Sequence, residues 1–472
     1  MSETTRRIMI AAPSSGSGKT AFTCGLLRVL KDMGLDPVSY KCGPDYIDPM
    51  FHRHVLEIGS RNLDPYLMSE AQIRHALGMS GTRPAVIEGV MGIYDGSDVS
   101  GLSGSSYEIA LMCRVPVILC VDSRGTGRTL ISIIRGILAD DTGHLIRGIV
   151  LNRISPGFYE RIAPVLTAEL ADAGYRDVRL LGFMPKADEI AIGSRHLGLM
   201  LPGEISDIRD RIAGTARLIN AHIDIDAILQ IMDEYGEKAE NVTDDETGRR
   251  TPGKDTPGAG ARKPVLAVAR DEAFCFYYQD NIELLEQMGV EIKCFSPIHD
   301  EHIPEDADGL LLGGGYPELY LKELAGNRSM LDSVRCAIRG GMPSLAECGG
   351  FMYLHKKVYD PDGAGFSLAG IIDGECRYTG HLVRFGYMYI SSCDETEGPA
   401  AVIPGIRGHE FHYYESSLNG DACTCAKPDG TEWKGMIAGS VSLWGFPHLY
   451  YGSNPGFAKA FVNSMQTYEM HR

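Results

Sequence analysis

The sequence predicts an α/β protein built from two successive parallel-sheet domains, and three observations carry that prediction. Short β-rich apolar runs alternate with amphipathic helical patterns over residues 1–185, the alternation stops between Asp233 and Ala261, and it restarts at Val265. Strands joined by crossover helices read in this way. A length of 472 residues leaves room for more than one hydrophobic core. The first strand also runs straight into a Gly/Ser loop and then a helix, the setting of a phosphate loop.

In the first half the expected strands are Ile8–Ala12, Val38–Lys41, Ala85–Glu88, Val115–Val121, Gly148–Leu151 and Leu180–Met184. Between the first two, Phe22, Leu26, Leu27, Leu30 and Met33 form one apolar helical stripe. The stretch from Asp233 to Ala261 carries eight acids against four bases, with Thr-Pro steps and several glycines, and reads as a flexible linker. Beyond it come strand Val265–Ala269, helix Asn281–Met288, strands Val290–Phe295 and Gly309–Leu312, a helix, and strand Pro343–Ala346. The expected boundaries are 1–232 for a phosphate-loop domain, 233–263 for the linker and 264–465 for a second α/β domain.

Composition narrows the function. Forty-five Lys+Arg against 62 Asp+Glu leave a formal charge of −17, which argues against nucleic acid as a partner. The twelve cysteines are scattered, with one C-x-C at Cys423 and Cys425, so neither a zinc ribbon nor a dense disulfide framework is indicated. No apolar run reaches membrane length, and Ile8–Ala12 is too short for a signal-peptide core. A soluble, cytoplasmic protein with no membrane partner is expected; its oligomeric state stays open, a homodimer included.

The first chemical motif is Ile8-Met-Ile-Ala-Ala-Pro-Ser-Ser-Gly-Ser-Gly-Lys-Thr20. Gly16, Ser17 and Gly18 would offer backbone N–H groups to phosphate, Lys19 would neutralise it, and Thr20 would ligate Mg²⁺. The pattern departs from the usual one at its first glycine, which is Pro13 here. Lys41, Asp45 and Asp48 follow the second expected strand, and Glu88 and Asp95 follow the third. In an open α/β sheet those loops converge on the ligand crevice. Carboxylates suit Mg²⁺ and a lysine suits a transferring phosphoryl group, so phosphoryl transfer is the implied reaction.

The second motif, Pro343-Ser-Leu-Ala-Glu-Cys348-Gly-Gly-Phe-Met-Tyr-Leu354, sets a cysteine between a strand and a helical run. Such an elbow lifts the thiol to the sheet edge, and the helix N-terminus favours the thiolate. Gly314 and Gly315, after an earlier strand, can serve as an oxyanion hole, and His448 is the candidate base. His409 and His412 are three apart in a strand-like segment, unlike the four-residue spacing of a helical zinc site.

Together these strings resemble the cobyrinate a,c-diamide synthase family, which includes the similar Ni-sirohydrochlorin a,c-diamide synthases. The resemblance rests on Ser39–His52, Val86–Gly96, Ala273–Tyr278, Leu312–Glu318, Ala346–Leu354 and Gly408–Tyr413, in that order. It implies an N-terminal amide-ligase domain similar to dethiobiotin synthetase and a C-terminal class I glutamine amidotransferase domain. It further implies ATP and L-glutamine as co-substrates, Mg²⁺ as cofactor, and a tetrapyrrole polycarboxylate as substrate, amidated on its a and c acetates through acyl phosphates. Carried over by position, Lys41 contacts the transferred phosphoryl group, and Asp45, Asp48, Glu88 and Asp95 serve the metal or the reacting carboxylate. Asn152 resembles an adenine-reading asparagine. Cys348 would be the glutaminase nucleophile and His448 its activator, while His381, Arg384, His409 and His412 would face the substrate. Many class I amidotransferases carry His-x-Glu, whereas Tyr450 stands two residues after His448.

Two rivals are weaker. Partitioning-type ATPases place a signature lysine five residues before the phosphate-loop lysine, and that position is Ser14. Cobyric acid synthase shares both domains, but the Cys42–Pro49 and Phe274–Tyr278 strings favour the a,c-diamide branch.

Overall fold

The structure, a computed structural model, describes residues 4–97, 99–186, 194–195, 198–199, 207–237 and 262–471. The chain divides into two compact units, Met1–Arg249 and Arg250–Arg472.

The first unit opens with β1 (Arg6–Ala11), α1 (Lys19–Asp32), β2 (Val38–Cys42) and a short α2 (Ile47–Met50), which runs on into a π-helical turn, Phe51–Val55. Then follow β3 (Ser60–Leu63), α3 (Glu70–Gly78), β4 (Pro84–Glu88), α4 (Ser106–Cys113), β5 (Val117–Asp122), α5 (Thr129–Ala139), β6 (Ile146–Asn152), α6 (Pro156–Asp172) and β7 (Arg179–Met184). A two-residue pair, β8 (Ser194–Arg195) and β9 (Gly198–Leu199), precedes α7 (Ile208–His222) and α8 (Ile225–Glu234). The seven main strands lie in the order β3-β2-β4-β1-β5-β6-β7, all parallel. Helices cover both faces of such a sheet, which is why β1 and β5 read as near-continuous apolar runs. All of Ile8–Ala11 and Val117–Val121 are buried.

Each expected strand is present, displaced at its ends by one or two residues. β3 escapes the sequence reading because Ser60-Arg-Asn-Leu63 is polar, as an edge strand can be. In α1, Phe22, Leu26, Leu27 and Leu30 are buried, but Met33 is 49% exposed and forms the C-cap, so it does not belong to the core stripe. The segment expected as linker begins inside α8: Asp233 pairs with Arg6 at 2.6 Å, and the Glu237 carbonyl accepts from the Thr5 amide. The rest of the linker, 238–261, lies outside the described residues.

The second unit begins with β10 (Val265–Ala269), β11 (Phe274–Phe276), α9 (Gln279–Gln287), β12 (Glu291–Phe295), β13 (Gly309–Leu312), β14 (Gly314–Gly315), α10 (Leu321–Gly326), α11 (Arg328–Arg339), β15 (Ser344–Glu347) and α12 (Gly349–Leu354). An antiparallel region follows: β16 (His355–Tyr359), β17 (Gly365–Ser367), β18 (Ile372–Tyr378), β19 (Arg384–Cys393), α13 (Gly398–Ala401), β20 (Arg407–His412), β21 (Tyr414–Ser416), β22 (Cys423–Ala426) and β23 (Glu432–Gly435). The unit closes with β24 (Ile437–Ala438), β25 (Ser442–Gly445), β26 (His448–Tyr450) and α14 (Pro455–His471).

Its central sheet runs β12-β10-β13-β15-β25-β24, parallel except for β24. One face buries Ala267, Leu310, Leu312 and Ala346; the other buries Leu266, Val268, Leu311 and Leu345. A five-stranded sheet, β23-β22-β19-β20-β26, carries His448 at its edge. Cys393 and Cys423, opposite each other on β19 and β22, form a disulfide that cysteine spacing alone does not anticipate. Among the described residues no helix is long and apolar enough to cross a membrane.

Candidate active sites

In the first unit the carboxyl ends of β1, β2 and β4 meet, as expected where strands of a parallel sheet end together. The phosphate loop spans β1 to α1 and closes on Gly18, whose φ of 95° is left-handed. A side chain at Gly18 would also collide with the Asn152 carboxamide, so only glycine fits. Asn152 donates to the Ser17 carbonyl at 2.7 Å, and Arg153 donates to the Gly16 carbonyl at 2.7 Å while pairing with Asp122 at 2.8 Å. Asn152 therefore braces the loop from the end of β6. Arg153 was not anticipated from sequence; its place directly after a β-strand at the sheet's ligand edge was the available signal.

Lys19 reaches the carbonyls of Ser14 and Met91, and burial together with the nearby Lys41 lowers its ammonium. Thr20 donates to Glu88 Oε1 at 2.5 Å and lies 3.4 Å from Asp48 Oδ2. Lys41 Nζ sits 2.5 Å from Asp48 Oδ2 and 3.1 Å from Glu88 Oε1. All three of these charged side chains are buried. Burial alone would lower the Lys41 ammonium, but Asp48, Glu88 and Asp45 reverse this and hold it well above its ordinary range. Two carboxylates this close do not share one ammonium equally. Burial, Asp45 and Glu88 drive Asp48 toward its protonated form; for Glu88, Lys41, His52 and Thr20 overcome burial and keep it ionised.

The structure thus brings Thr20, Lys41, Asp48 and Glu88 together. Asp45 instead caps its own turn, accepting from the amides of Ile47 and Asp48 at 2.8 and 3.1 Å. Asp95 is likewise committed locally, accepting from Gly92 N at 2.8 Å. His52, on the π-helical turn, stands 3.6 Å from Glu88 Oε2 and shares its Nδ1 with Ser39 and Ser60. Nothing in the sequence alone marks this support for Glu88. Thr20, Asp48 and Glu88 form an all-oxygen set of the kind Mg²⁺ prefers. Among the described residues no three His, Cys, Asp or Glu side chains form an ion cage, so phosphate and water would have to complete the coordination.

In the second unit Cys348 lies between β15 and α12 with φ 48° and ψ −101°, a strained conformation for a residue with a side chain. Its amide donates to the Gly445 carbonyl at 2.8 Å, and Gly350 N donates to Gly313 O at 2.9 Å. Glycine is obligatory at 350, where a Cβ would strike the Leu312 carbonyl. Gly314 and Gly315 are held by antiparallel pairing with β11. A Cβ on Gly314 would collide with the His448 ring, and one on Gly349 would approach Gly315 N to 3.3 Å. The triple glycine, the elbow and His448 are therefore packed into one place.

The thiol differs from expectation. Burial, reinforced by Glu318 and Glu410, pushes Cys348 far up, and the Gly349 amide compensates only in part. Burial thus favours the thiol over the thiolate. Burial, with His409 and His412, lowers His448 to about 3, so its imidazole is neutral at rest.

The remaining four candidates separate. His409 faces His448 directly across β20 and β26. Arg384 and His412 line a small pocket with Glu410 and Trp433. There Arg384 stacks on Trp433 at 4.6 Å and approaches Glu410 at 3.7 Å, and the His412 ring lies flat on Phe446 with centroids 3.9 Å apart. His381 is exposed and bonds only within its own turn, to Thr379.

Residues 8–199 match the CobQ/CobB/MinD/ParA nucleotide binding domain, and residues 265–445 match the CobB/CobQ-like glutamine amidotransferase domain. The cobyrinate a,c-diamide synthase of Clostridium tetani is 34% identical over 466 residues, covering 97% of this chain and 99% of the relative. That of Caldanaerobacter subterraneus is 36% identical, covering 86% of each, and that of Listeria innocua is 34% identical, covering 95% of this chain and 97% of the relative. With both halves matched in order and the relatives aligned over nearly their full length, the chain belongs to the cobyrinate a,c-diamide synthase family, glutamine-dependent ligases that form amides.

Proposed function

We propose that this enzyme amidates the a and c acetate carboxylates of cobyrinic acid, in two rounds that each consume one ATP and one glutamine. The observation that carries the reading is the coexistence, in one chain, of the Thr20–Lys41–Asp48–Glu88 cluster under a phosphate loop and a strained Cys348 whose amide is held by Gly445, three residues before His448.

A carboxylate is a poor acyl electrophile. Its oxygen attacks the γ-phosphorus of ATP, ADP leaves, and the acyl phosphate so formed is open to ammonia, which displaces phosphate and leaves the amide. Gly16, Ser17, Gly18 and Lys19 hold the phosphates, with Asn152 and Arg153 bracing the loop; Lys41 neutralises charge on the transferred group. Mg²⁺, held by Thr20 and Glu88 with Asp48 beside them, would supply charge neutralisation between phosphates. Asp45 and Asp95 serve the same site through their loops.

In the second unit His448 takes the Cys348 proton, the thiolate attacks the glutamine carboxamide, and the tetrahedral oxyanion faces the amides of Gly314 and Gly315. Collapse releases ammonia, protonated by His448 as it leaves, and water frees glutamate from the thioester. The substrate is acidic, and so is the chain, so attraction must be local; His381, Arg384, His409 and His412 are the candidate contacts. The reading also expects a cytoplasmic enzyme with two domains, 1–232 and 264–465, about the linker.

Mass analysis after incubation with ATP and glutamine tests the proposal, with cobyrinic acid in one arm and Ni-sirohydrochlorin in the other. A gain of two amides on cobyrinic acid supports it; amidation of the nickel compound alone moves the enzyme to that branch, and amidation of neither rejects the substrate class.

A further inference from the structure

We propose that Glu347, the residue immediately before the nucleophile, is the positioning residue for His448. It would take the place that a carboxylate two residues after the histidine holds in many class I amidotransferases. The inference rests on the reading of Cys348 and His448 as a glutaminase pair.

Position 450 is not available for that role: it is a tyrosine, and its hydroxyl donates to Asp280 Oδ2 at 3.1 Å, away at the start of α9. Glu347 ends β15, and its carboxyl group hydrogen-bonds two residues of the histidine segment and lies close to a third. Oε2 lies 3.9 Å from His448 Nδ1, Oε1 accepts from the Tyr451 hydroxyl at 3.2 Å, and the Leu449 amide also donates to the carboxyl group. Glu347 is 9% exposed, His448 3% and Tyr451 1%, so water does little to screen the pair. Register pins the spacing as well: Glu347 pairs with Gly445 between β15 and β25, three residues before His448, and the same Gly445 accepts the Cys348 amide.

The consequence is chemical. The 3.9 Å separation is longer than a hydrogen bond; shortened to one when glutamine binds, it would select the tautomer protonated at Nδ1 and leave Nε2 as the base. The proton then moves from the thiol to Nε2 and onward to the departing ammonia, while Glu347 faces the imidazolium and keeps its own proton count unchanged. Burial pushes the Glu347 carboxyl up to about 8, with the Tyr451 hydroxyl and Leu449 amide pulling against it. The other titratable groups facing it are His448, Tyr451, Cys348 and Tyr277.

The test measures glutamate release from glutamine, which needs no tetrapyrrole. Glu347→Gln is expected to lower kcat about 100-fold with KM little changed, and to lack the rise of kcat/KM toward pH 8 expected of the wild type. Glu347→Asp should recover part of the rate, and Tyr451→Phe, which removes a donor to the carboxylate, should move the rise to higher pH. Wild-type kcat and pH profile in folded Glu347→Gln would overturn the role of Glu347; if that variant fails to fold, unchanged profiles in Glu347→Asp and Tyr451→Phe would do so. Release that also survives Cys348→Ala would overturn the glutaminase reading itself, a separate failure.

Discussion

Lys41 Nζ lies 2.5 Å from Asp48 Oδ2, and both side chains are almost wholly removed from water. With Glu88 at 3.1 Å on the other side, one ammonium holds two carboxyl groups at the floor of the phosphate loop. Replacing Lys41 by Met would leave those groups buried without their counter-charge, at a cost of about 3–5 kcal/mol. Denaturant unfolding should show a loss of unfolding free energy of that size, partly restored in a Lys41→Met, Asp48→Asn double variant.

Glu88→Gln should keep the fold, because the amide can still accept from Thr20, yet lose amidation with both glutamine and ammonia as nitrogen source. A fall of about 100-fold or more in kcat with either donor is expected, since the charge it supplies belongs to the ATP step. Full activity would remove Glu88 from that step.

Cys348→Ala should abolish glutamine use and retain activity at high ammonia concentration. The thiol itself can be read directly: burial holds it up, so alkylation by iodoacetamide should be slow at neutral pH and accelerate as pH rises. Rapid alkylation at pH 6 would mean that the thiolate is already formed.

Gly314→Ala places a methyl group against the His448 ring. Glutamate release should fall by about 100-fold or more, while ammonia-supported amidation and nucleotide binding in the first unit stay as they were. Paired assays of the two activities check this.

The second unit should lose stability in mild acid. His355 is fully buried, bonded to Ser416 and the Phe351 carbonyl, and burial lowers it to about 4. The unfolded chain binds this proton from about pH 6.5 downward and the folded chain only near 4, so stability falls as pH drops through that window, by at most about 3 kcal/mol. His409 and His412, also lowered to about 4, act in the same direction. Unfolding midpoints between pH 7.5 and 5 measure the slope, and His355→Gln should make it shallower.

Much of this was legible before any coordinates. Parallel strands buried on both faces announce themselves as apolar runs, and Lys19, Thr20, Lys41, Glu88 and Cys348 stand at the ends of such runs or in the loops after them, where the ligand edge of the sheet must be. What stayed hidden depended on pairings between distant segments. The polar edge strand β3 has no apolar signature. The division of labour between Asp48 and Asp45 was invisible because both sit in one turn, and only the helical phase of α2 directs one inward. Glu347 stands in the elbow string itself, yet its proximity to His448 crosses about a hundred residues of chain and appears only when β15 and β25 align. The burial that raises the thiol, unlike a helix terminus, leaves no mark in a short string.

The hydrogen bond from Asn152 to the Ser17 carbonyl joins positions 135 residues apart. Until β5 and β6 have docked beside β1, the loop after β1 has neither that brace nor the one from Arg153. During synthesis, then, the ribosome must deliver residues far beyond the glycine-rich motif before the motif can grip a nucleotide. Fragments ending before position 152 should not retain ATP, although the whole phosphate-loop signature is present in them.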